Sequence, residues 1–311
     1  MTVPKVFKTI EDQIKILRSR GLRVDSRHKT ILLHENYYNI INGYKKPFLA
    51  SCGPNETYLR GTSFKEIIAL YEFDRSLRYI TLRRLLKMET HIKSVVAYVF
   101  SKYHGYDHKL YLDATNFDIK NRTIKAIGKL ISTCQDIIIQ KNTKHDAITH
   151  YLSKYNYVPL WVLTGVLTMG NISRFYSLMK KNERDEVAQI LNTREDHLRN
   201  YLVLFTDFRN VCAHSDRLYN LFFTKKKIPA IPLTFQAVSV DGKPFSCSYN
   251  YNFFTFLLCM KLLSPNTGKD SFASLKKEIE KELNRLSRQL HTVTIESILT
   301  SMGFPKNWSS I

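Results

Sequence analysis

The feature that most restricts the fold of this chain is a stretch from Ser63 to about His104 that contains neither proline nor glycine. Its apolar residues recur at intervals of three and four, the spacing of one face of an α-helix. The stretch therefore predicts one long helix or two abutting helices, against which the rest of a bundle would pack. The residues that set this period are Ile67, Leu70, Tyr71, Leu77, Ile80, Leu82, Leu85, Val95, Val96 and Val99.

Most of the remaining chain also predicts helices. They cover residues 5–20, 28–41, 117–141, 146–153, 183–192, 194–221, 251–263, 271–290 and 295–302, and another begins at Pro159 and is interrupted at Gly170-Asn171. We expect a loop at residues 49–62 and Trp161 in the core. The confident β signal is alternation around Asp241-Gly242. The predicted fold class is all-α, a helical bundle with additional helices and one small β-hairpin near 235–249.

The charge of the chain indicates its partner. Lys and Arg outnumber Asp and Glu by 47 to 27, a net charge of +20, and a surface this basic attracts nucleic acid. Membrane attachment also uses positive charge, but no isolated basic amphipathic helix or lipidation signal is found, so we expect no membrane partner. The candidate phosphate contacts outside the central motif are Arg18, Arg20, Arg23, Lys45 and Lys46. For the arginines around Gly21, a solvated loop is an equally good interpretation.

The cysteine pattern and the apolar runs bear on compartment and cofactors. Five scattered cysteines, never in C-x-x-C spacing, support neither a disulfide framework nor a zinc site. The N-terminus lacks an apolar signal core, and the longest apolar run, Phe253 to Met260, is too short to span a membrane. We therefore expect a soluble, cytoplasmic protein. No glycine-rich phosphate loop or carboxylate cluster is present, so no cofactor and no metal are predicted.

The candidate site is the segment from Thr206 to Leu218. An apolar stripe on it can face the core, while Asp207, Asn210, His214 and Arg217 form one polar strip at helical spacing. Arg209 points about 140° away from His214 on a regular helix. One helix alone therefore brings this arginine and this histidine together poorly.

The residue types in this segment suit metal-free phosphodiester cleavage. A histidine can pass protons near neutral pH, and an arginine fork holds a phosphate in fixed geometry. A solvated helix surface is the alternative interpretation. Cys212 is not a nucleophile for His214, because positions two apart on a helix face away from each other, and we expect it to be buried.

In these features the chain resembles the abortive-infection (Abi, AbiD/AbiF-like) family of bacteria, whose members carry a HEPN domain with an Arg-x4-6-His ribonuclease motif. The matching segments lie along nearly the whole chain. They are Phe7–Ile14, Asn36–Tyr38, Gly43-Tyr44 with Pro47-Phe48, Leu70–Arg75 with Leu77-Arg78, Pro159–Trp161 with Met169-Gly170, Arg209-Asn210 and Ala213-His214 with Arg217-Leu218, and Met302–Pro305 with Asn307-Trp308.

The resemblance implies a HEPN-like bundle that forms a homodimer with a composite ribonuclease site, a toxin directed against phage infection. It assigns catalysis to Arg209, Asn210 and His214, and with the basic surface it makes Arg217 an RNA contact. Some relatives are found together with a small noncoding RNA, so such an RNA is a candidate partner. The alternative is a non-catalytic RNA-binding protein or regulator that grips RNA through the same basic strip.

The chain divides, on this interpretation, into three parts. They are a basic N-terminal helical segment at 1–62, the HEPN-like bundle at 63–227, and a C-terminal hairpin with helices at 228–311. One continuous domain is the other possibility.

Overall fold

The structure is a computed structural model that describes residues 6–53, 55–120, 123–222, 239–240, 243–244, 251–265, 268–306 and 308–310. Its α-helices are α1 (Ile10–Ser19), α2 (Lys29–His34), α3 (Phe64–His104), α4 (His108–Tyr111), α5 (Ile124–Lys141), α6 (Asp146–Tyr155), α7 (Leu160–Leu163), α8 (Met169–Leu178), α9 (Lys181–Ile190), α10 (Glu195–Ala213), α11 (Phe253–Leu263), α12 (Phe272–Ser287) and α13 (Ile295–Ser301). The all-α class is confirmed.

Short 3₁₀ and π segments and two small β-ladders connect these helices. The 3₁₀ turns are Ser26–His28, Lys46–Phe48, Ala114–Asn116 and Trp308–Ser310, and Tyr38–Asn42 is π-helical. Strands β1 (Leu49–Ser51) and β2 (Thr57–Tyr58) pair antiparallel, as do β3 (Ser239–Val240) and β4 (Lys243–Pro244). The second pair confirms the predicted hairpin.

The long glycine-free stretch forms one continuous helix. α3 has 41 residues and is therefore about 60 Å long. At its start, the Glu66 carboxylate accepts the N–H of Ser63 at 3.0 Å, which satisfies a backbone donor that the first turn leaves free. At its end, Gly105 has a φ of 77°, a conformation that stops the helix. α7, α8, α9, α10 and α12 pack against α3.

The buried apolar side chains form one connected core that runs from α1 to α13. Phe208 of α10 stacks on Phe256 of α11 with ring centroids 4.5 Å apart. The C-terminal helices are tied to the start of α3, because Glu66 also accepts the backbone N–H groups of His291 and Thr292 at 2.8 Å. The predicted division of the chain into three parts stays a prediction.

Several local predictions were wrong. The helix predicted at 28–41 is broken because Asn36 has a φ of 64°, and β1 and β2 lie within the predicted loop. Gly170 and Asn171 lie inside α8, which begins where the Thr168 hydroxyl caps the N–H of Asn171. Trp161 is 52% exposed, because Leu160 and Leu163 fill the core side of the single turn of α7.

In the described part of the chain, no helix is both long enough and apolar enough to cross a membrane.

Candidate functional site

The motif helix is shorter than predicted. α10 ends at Ala213 and not near residue 221, because Ser215 adopts a φ of 59°. The N–H of His214 still donates to the Asn210 carbonyl at 2.9 Å, and the N–H of Asp216 turns back to Val211 at 3.0 Å. His214 is therefore the first residue after the helix, and the chain changes direction directly beyond it.

This turn borders a polar cleft of about 520 Å³, which we call the His214 cleft. Three parts of the chain enclose it: the region from α2 to Tyr44, the first half of α3, and the turn after α10. Its lining residues are His34, Glu35, Asn36, Tyr38, Asn39, Asn42, Gly43, Tyr44, Tyr71, Arg75, Arg78, Tyr79, Cys212, His214, Ser215, Asp216 and Arg217. Segments that carry the family resemblance and lie far apart in sequence thus meet at one cleft.

A buried carboxylate holds the wall of the cleft together. Asp74 is fully buried and accepts the N–H of Tyr219 at 2.6 Å, with the N–H of Leu218 at 3.2 Å. The Tyr44 hydroxyl donates to Asp74 at 2.6 Å, and the Arg78 guanidinium donates at 2.7 Å. One side chain therefore joins α3, the segment before β1 and the backbone that follows His214.

The same network determines the charge of this wall. Burial raises the pKa of Asp74, and the adjacent Arg78 guanidinium opposes that rise. Burial and the nearby Asp74 carboxylate raise the pKa of Tyr44, so its hydroxyl stays a hydrogen-bond donor. Burial raises the pKa of Cys212 to about 12, which excludes a ready thiolate beside His214 and agrees with the buried position predicted for this residue.

Charged side chains of both signs line the cleft. The Arg217 guanidinium donates to the Gly43 carbonyl at 2.7 Å and is otherwise exposed. Arg75 lies 3.3 Å from Glu35, and its pKa is raised chiefly by its hydrogen bond to Tyr79 and also by Glu35. The hydrogen bond from Tyr71 and the Arg75 charge lower the pKa of Glu35.

Arg209 and Asn210 do not border the cleft. The Nε of Arg209 lies 3.8 Å from Glu89 Oε2 on α3, and Glu89 also pairs with Lys93 at 2.7 Å. Among the described residues, neither Arg209 Nε nor Glu89 Oε2 has a hydrogen-bond partner. Asn210 and His214 are exposed. Within one chain, the predicted catalytic arginine and histidine thus have different surroundings.

The basic residues near the N-terminus have structural partners. Arg20 and Lys45 both pair with Glu56. Arg18 donates to the Val24 carbonyl and Arg23 to the Gly61 carbonyl, whereas Lys46 is exposed. Their roles as RNA contacts stay predictions.

Two arginines of the cleft were missed by the sequence interpretation. Arg75 and Arg78 were not among the candidate site residues, but the Arg78 side chain is only 6% exposed and both residues line the cleft. A signal was present, because Asp74 and Arg78 are four residues apart, a spacing at which opposite charges meet on a helix. In the described residues, no three His, Cys, Asp or Glu side chains gather as a metal site would require.

The fold and the cleft define an all-α protein with an exposed histidine beside a polar cavity lined by charged residues. The family model described as "Abi-like protein" matches residues 30–220, more than half of the 311 residues. The chain therefore belongs to the Abi-like protein family. No curated protein and no solved structure matches it.

Proposed function

We propose that this protein is a metal-independent endoribonuclease of bacterial abortive-infection defence, with His214 at its catalytic centre. Membership in the Abi-like family supports the defence role. The cleft supports the substrate, because a polar cavity with the exposed Arg217 and the partly exposed Arg75 on its walls suits a phosphate-bearing strand. The chain's net charge of +20 acts in the same direction.

In the proposed reaction, a ribose 2′-hydroxyl attacks its own adjacent phosphate. The new O–P bond closes a 2′,3′-cyclic phosphate, the P–O5′ bond breaks, and the leaving strand takes a proton to become a 5′-hydroxyl. His214 acts as the general base or acid in these proton transfers. Arg209 stabilises the charge that develops on the phosphorane, and Asn210 orients His214 or the phosphate.

The separation of Arg209 from the His214 cleft carries the proposal of a composite site. A two-fold axis presents the same residues twice, so Arg209 of one chain can meet His214 of a second copy even though they diverge within one chain. Asn210 and His214 are exposed at this end of α10 and are therefore accessible to a partner copy. The composite site thus needs a homodimer.

A cleavage assay in excess EDTA tests the activity. We expect single-stranded RNA to be cut, with 2′,3′-cyclic phosphate and 5′-hydroxyl ends, and the matched 2′-deoxy strand to stay intact. RNA bound tightly but left uncut by wild-type protein, with or without divalent ions, would instead identify the non-catalytic RNA-binding protein.

A further inference from the structure

Four tyrosine rings gather at the end of α3 that lies away from the His214 cleft. We call Tyr106, Tyr151, Tyr155 and Tyr157 the tyrosine cluster. The ring centroids of Tyr106 and Tyr157 are 5.0 Å apart, and those of Tyr151 and Tyr155 are 5.5 Å apart. Tyr157 joins the two pairs, at 6.0 Å from Tyr155 and 6.4 Å from Tyr151.

The backbone beneath the cluster is held firmly. The N–H of Val158 donates to His108 Nδ1 at 3.1 Å, and the buried Tyr111 hydroxyl donates to the Val158 carbonyl at 2.8 Å. Asn156 has a φ of 60°, which ends α6 and turns the chain between Tyr155 and Tyr157. The backbone that carries the rings is therefore ordered by these contacts, and it holds the rings close together.

Two rings of the cluster are well exposed to solvent, and a lysine lies against one of them. Tyr106 is 56% exposed and Tyr155 is 43% exposed. Lys154 Nζ lies 5.3 Å from the centre of the Tyr155 ring, a distance at which a cation is attracted to the ring face. The exposed His150 ring lies 5.8 Å from Tyr155. Packing of the core does not require large rings at such exposed positions.

We propose that the tyrosine cluster is a second RNA-binding site, which holds single-stranded RNA by stacking of its bases. Every base has a π-face, so exposed rings with interleaved cations bind single strands without sequence preference. The net charge of +20 favours a polyanion as the occupant over a partner protein whose surface has few acidic groups. The hydroxyl groups at the edges of the rings can also form hydrogen bonds with a hydrated, charged ligand.

The position of the cluster predicts a dependence on RNA length. The cleft contacts α3 at residues 71–79, and Tyr106 lies just beyond the end of α3 at His104, so the two sites are about 40 Å apart along the helix. A strand stacked at about 3.4 Å per nucleotide needs about twelve nucleotides to reach both. Longer RNAs engage both sites of one chain, and shorter ones engage only one.

A binding measurement tests this site without relying on cleavage. The probe is a fluorescent 20-nucleotide 2′-O-methyl RNA, which lacks the free 2′-hydroxyl needed for the proposed reaction. We expect Tyr106→Ala with Tyr155→Ala to weaken binding by about 5-fold to 100-fold, the loss of one base-stacking contact. Tyr106→Phe with Tyr155→Phe keeps the rings and should bind like wild type. Tyr98 lies on α3, outside the cluster, and is 64% exposed. Tyr98→Ala is therefore the matched control.

Unchanged affinity in the folded double alanine variant would overturn the proposal and assign the cluster to another partner, such as a protein. An equal loss in Tyr98→Ala would also overturn it, because the effect would then not be specific to the cluster. If the double variant does not fold, Tyr106→Ala alone decides, since this side chain is more than half exposed.

A second readout rests on the proposed ribonuclease activity. The double alanine variant should raise KM for a 20-nucleotide substrate, leave kcat unchanged, and leave cleavage of a six-nucleotide substrate unaffected. A fall in kcat on both substrates would contradict a remote binding site. If wild-type protein cuts no RNA, the proposed activity fails, while the binding measurement still decides on the cluster.

Discussion

The two ends of the proposed catalytic motif are held very differently. Beyond His214, the backbone is locked by the buried Asp74 carboxylate through Leu218 and Tyr219, and Arg217 adds a bond to Gly43. Five residues before His214, Arg209 is about one-third exposed and only approaches Glu89, at 3.8 Å.

This difference indicates that the two ends have different roles. A proton-transfer group gains from a fixed position, because small displacements of a reacting group slow a reaction strongly. A phosphate clamp that is loosely held can exchange its carboxylate neighbour for an RNA phosphate. We therefore expect changes to the Asp74 network behind His214 to affect both the fold and the rate, and changes to the His214 or Arg209 side chain to affect mainly the rate.

The largest expected effect is that of His214→Ala on cleavage. Loss of a proton-transfer group should slow single-turnover cleavage by about 10²-fold to 10⁴-fold, while thermal unfolding and RNA affinity stay close to wild type. His91→Ala, at an exposed histidine on α3, is the control. Wild-type cleavage by the variant would remove His214 from the mechanism, and an unfolded variant would show that its role is structural.

Mixing two inactive variants tests whether the two ends of the motif meet between chains. Arg209→Ala and His214→Ala homodimers should each be inactive, whereas a heterodimer keeps one arginine and one histidine that can face each other. Complete exchange of an equal mixture makes half of the dimers mixed, each with one of two pairings intact, so about a quarter of wild-type activity should return. Differently tagged chains verify the exchange. A fully active monomer would rule out the composite site.

Asp74→Asn should destabilise the protein by about 3–5 kcal/mol, because it leaves the buried Arg78 guanidinium without its charged partner. Chemical denaturation measures this loss as a lower unfolding midpoint. Cleavage at temperatures where the variant is folded should also be slower, since the backbone beyond His214 loses an anchor. A loss below about 1 kcal/mol would mean that the His214 end is not locked by Asp74.

Arg209→Gln should cost on the order of 1 kcal/mol or less, because Arg209 is partly solvated, its contact with Glu89 is long, and Glu89 keeps its ion pair with Lys93. The same denaturation experiment gives the comparison with Asp74→Asn directly. Equal costs at the two positions would show that the ends of the motif are held alike.

The smallest expected effect concerns the salt dependence of RNA binding. If about five phosphates are contacted, the log–log salt slope for single strands should be near −3.5, and Arg217→Ala should reduce its magnitude by about 0.7. Arg20→Ala tests the N-terminal candidates, and because Arg20 is engaged with Glu56 we expect it to change the slope less than Arg217→Ala does. A larger change in slope for Arg20→Ala than for Arg217→Ala would assign the phosphate contacts to the N-terminal segment and not to the cleft.

Local sequence signals determined the helical framework of this protein. The 41 residues of α3 follow from helical periodicity without a helix-breaking residue, and the pairing of β3 with β4 follows from alternating residues around an Asp-Gly pair in the sequence. The motif helix was also identified, together with the divergence of Arg209 from His214, because helix geometry depends only on spacing along the chain. Its end was misplaced, since no sequence rule required Ser215 to take a positive φ.

Only the tertiary structure decided what surrounds these residues. The carboxylate of Asp74 binds backbone groups 144 and 145 residues away. The ring of Tyr106, just after α3, contacts that of Tyr157, just after α6. Periodicity shows which face of a helix is buried but not which distant segment covers it, because that choice depends on the packing of the whole core. The cleft beside His214 and the tyrosine cluster both arise from such long-range contacts.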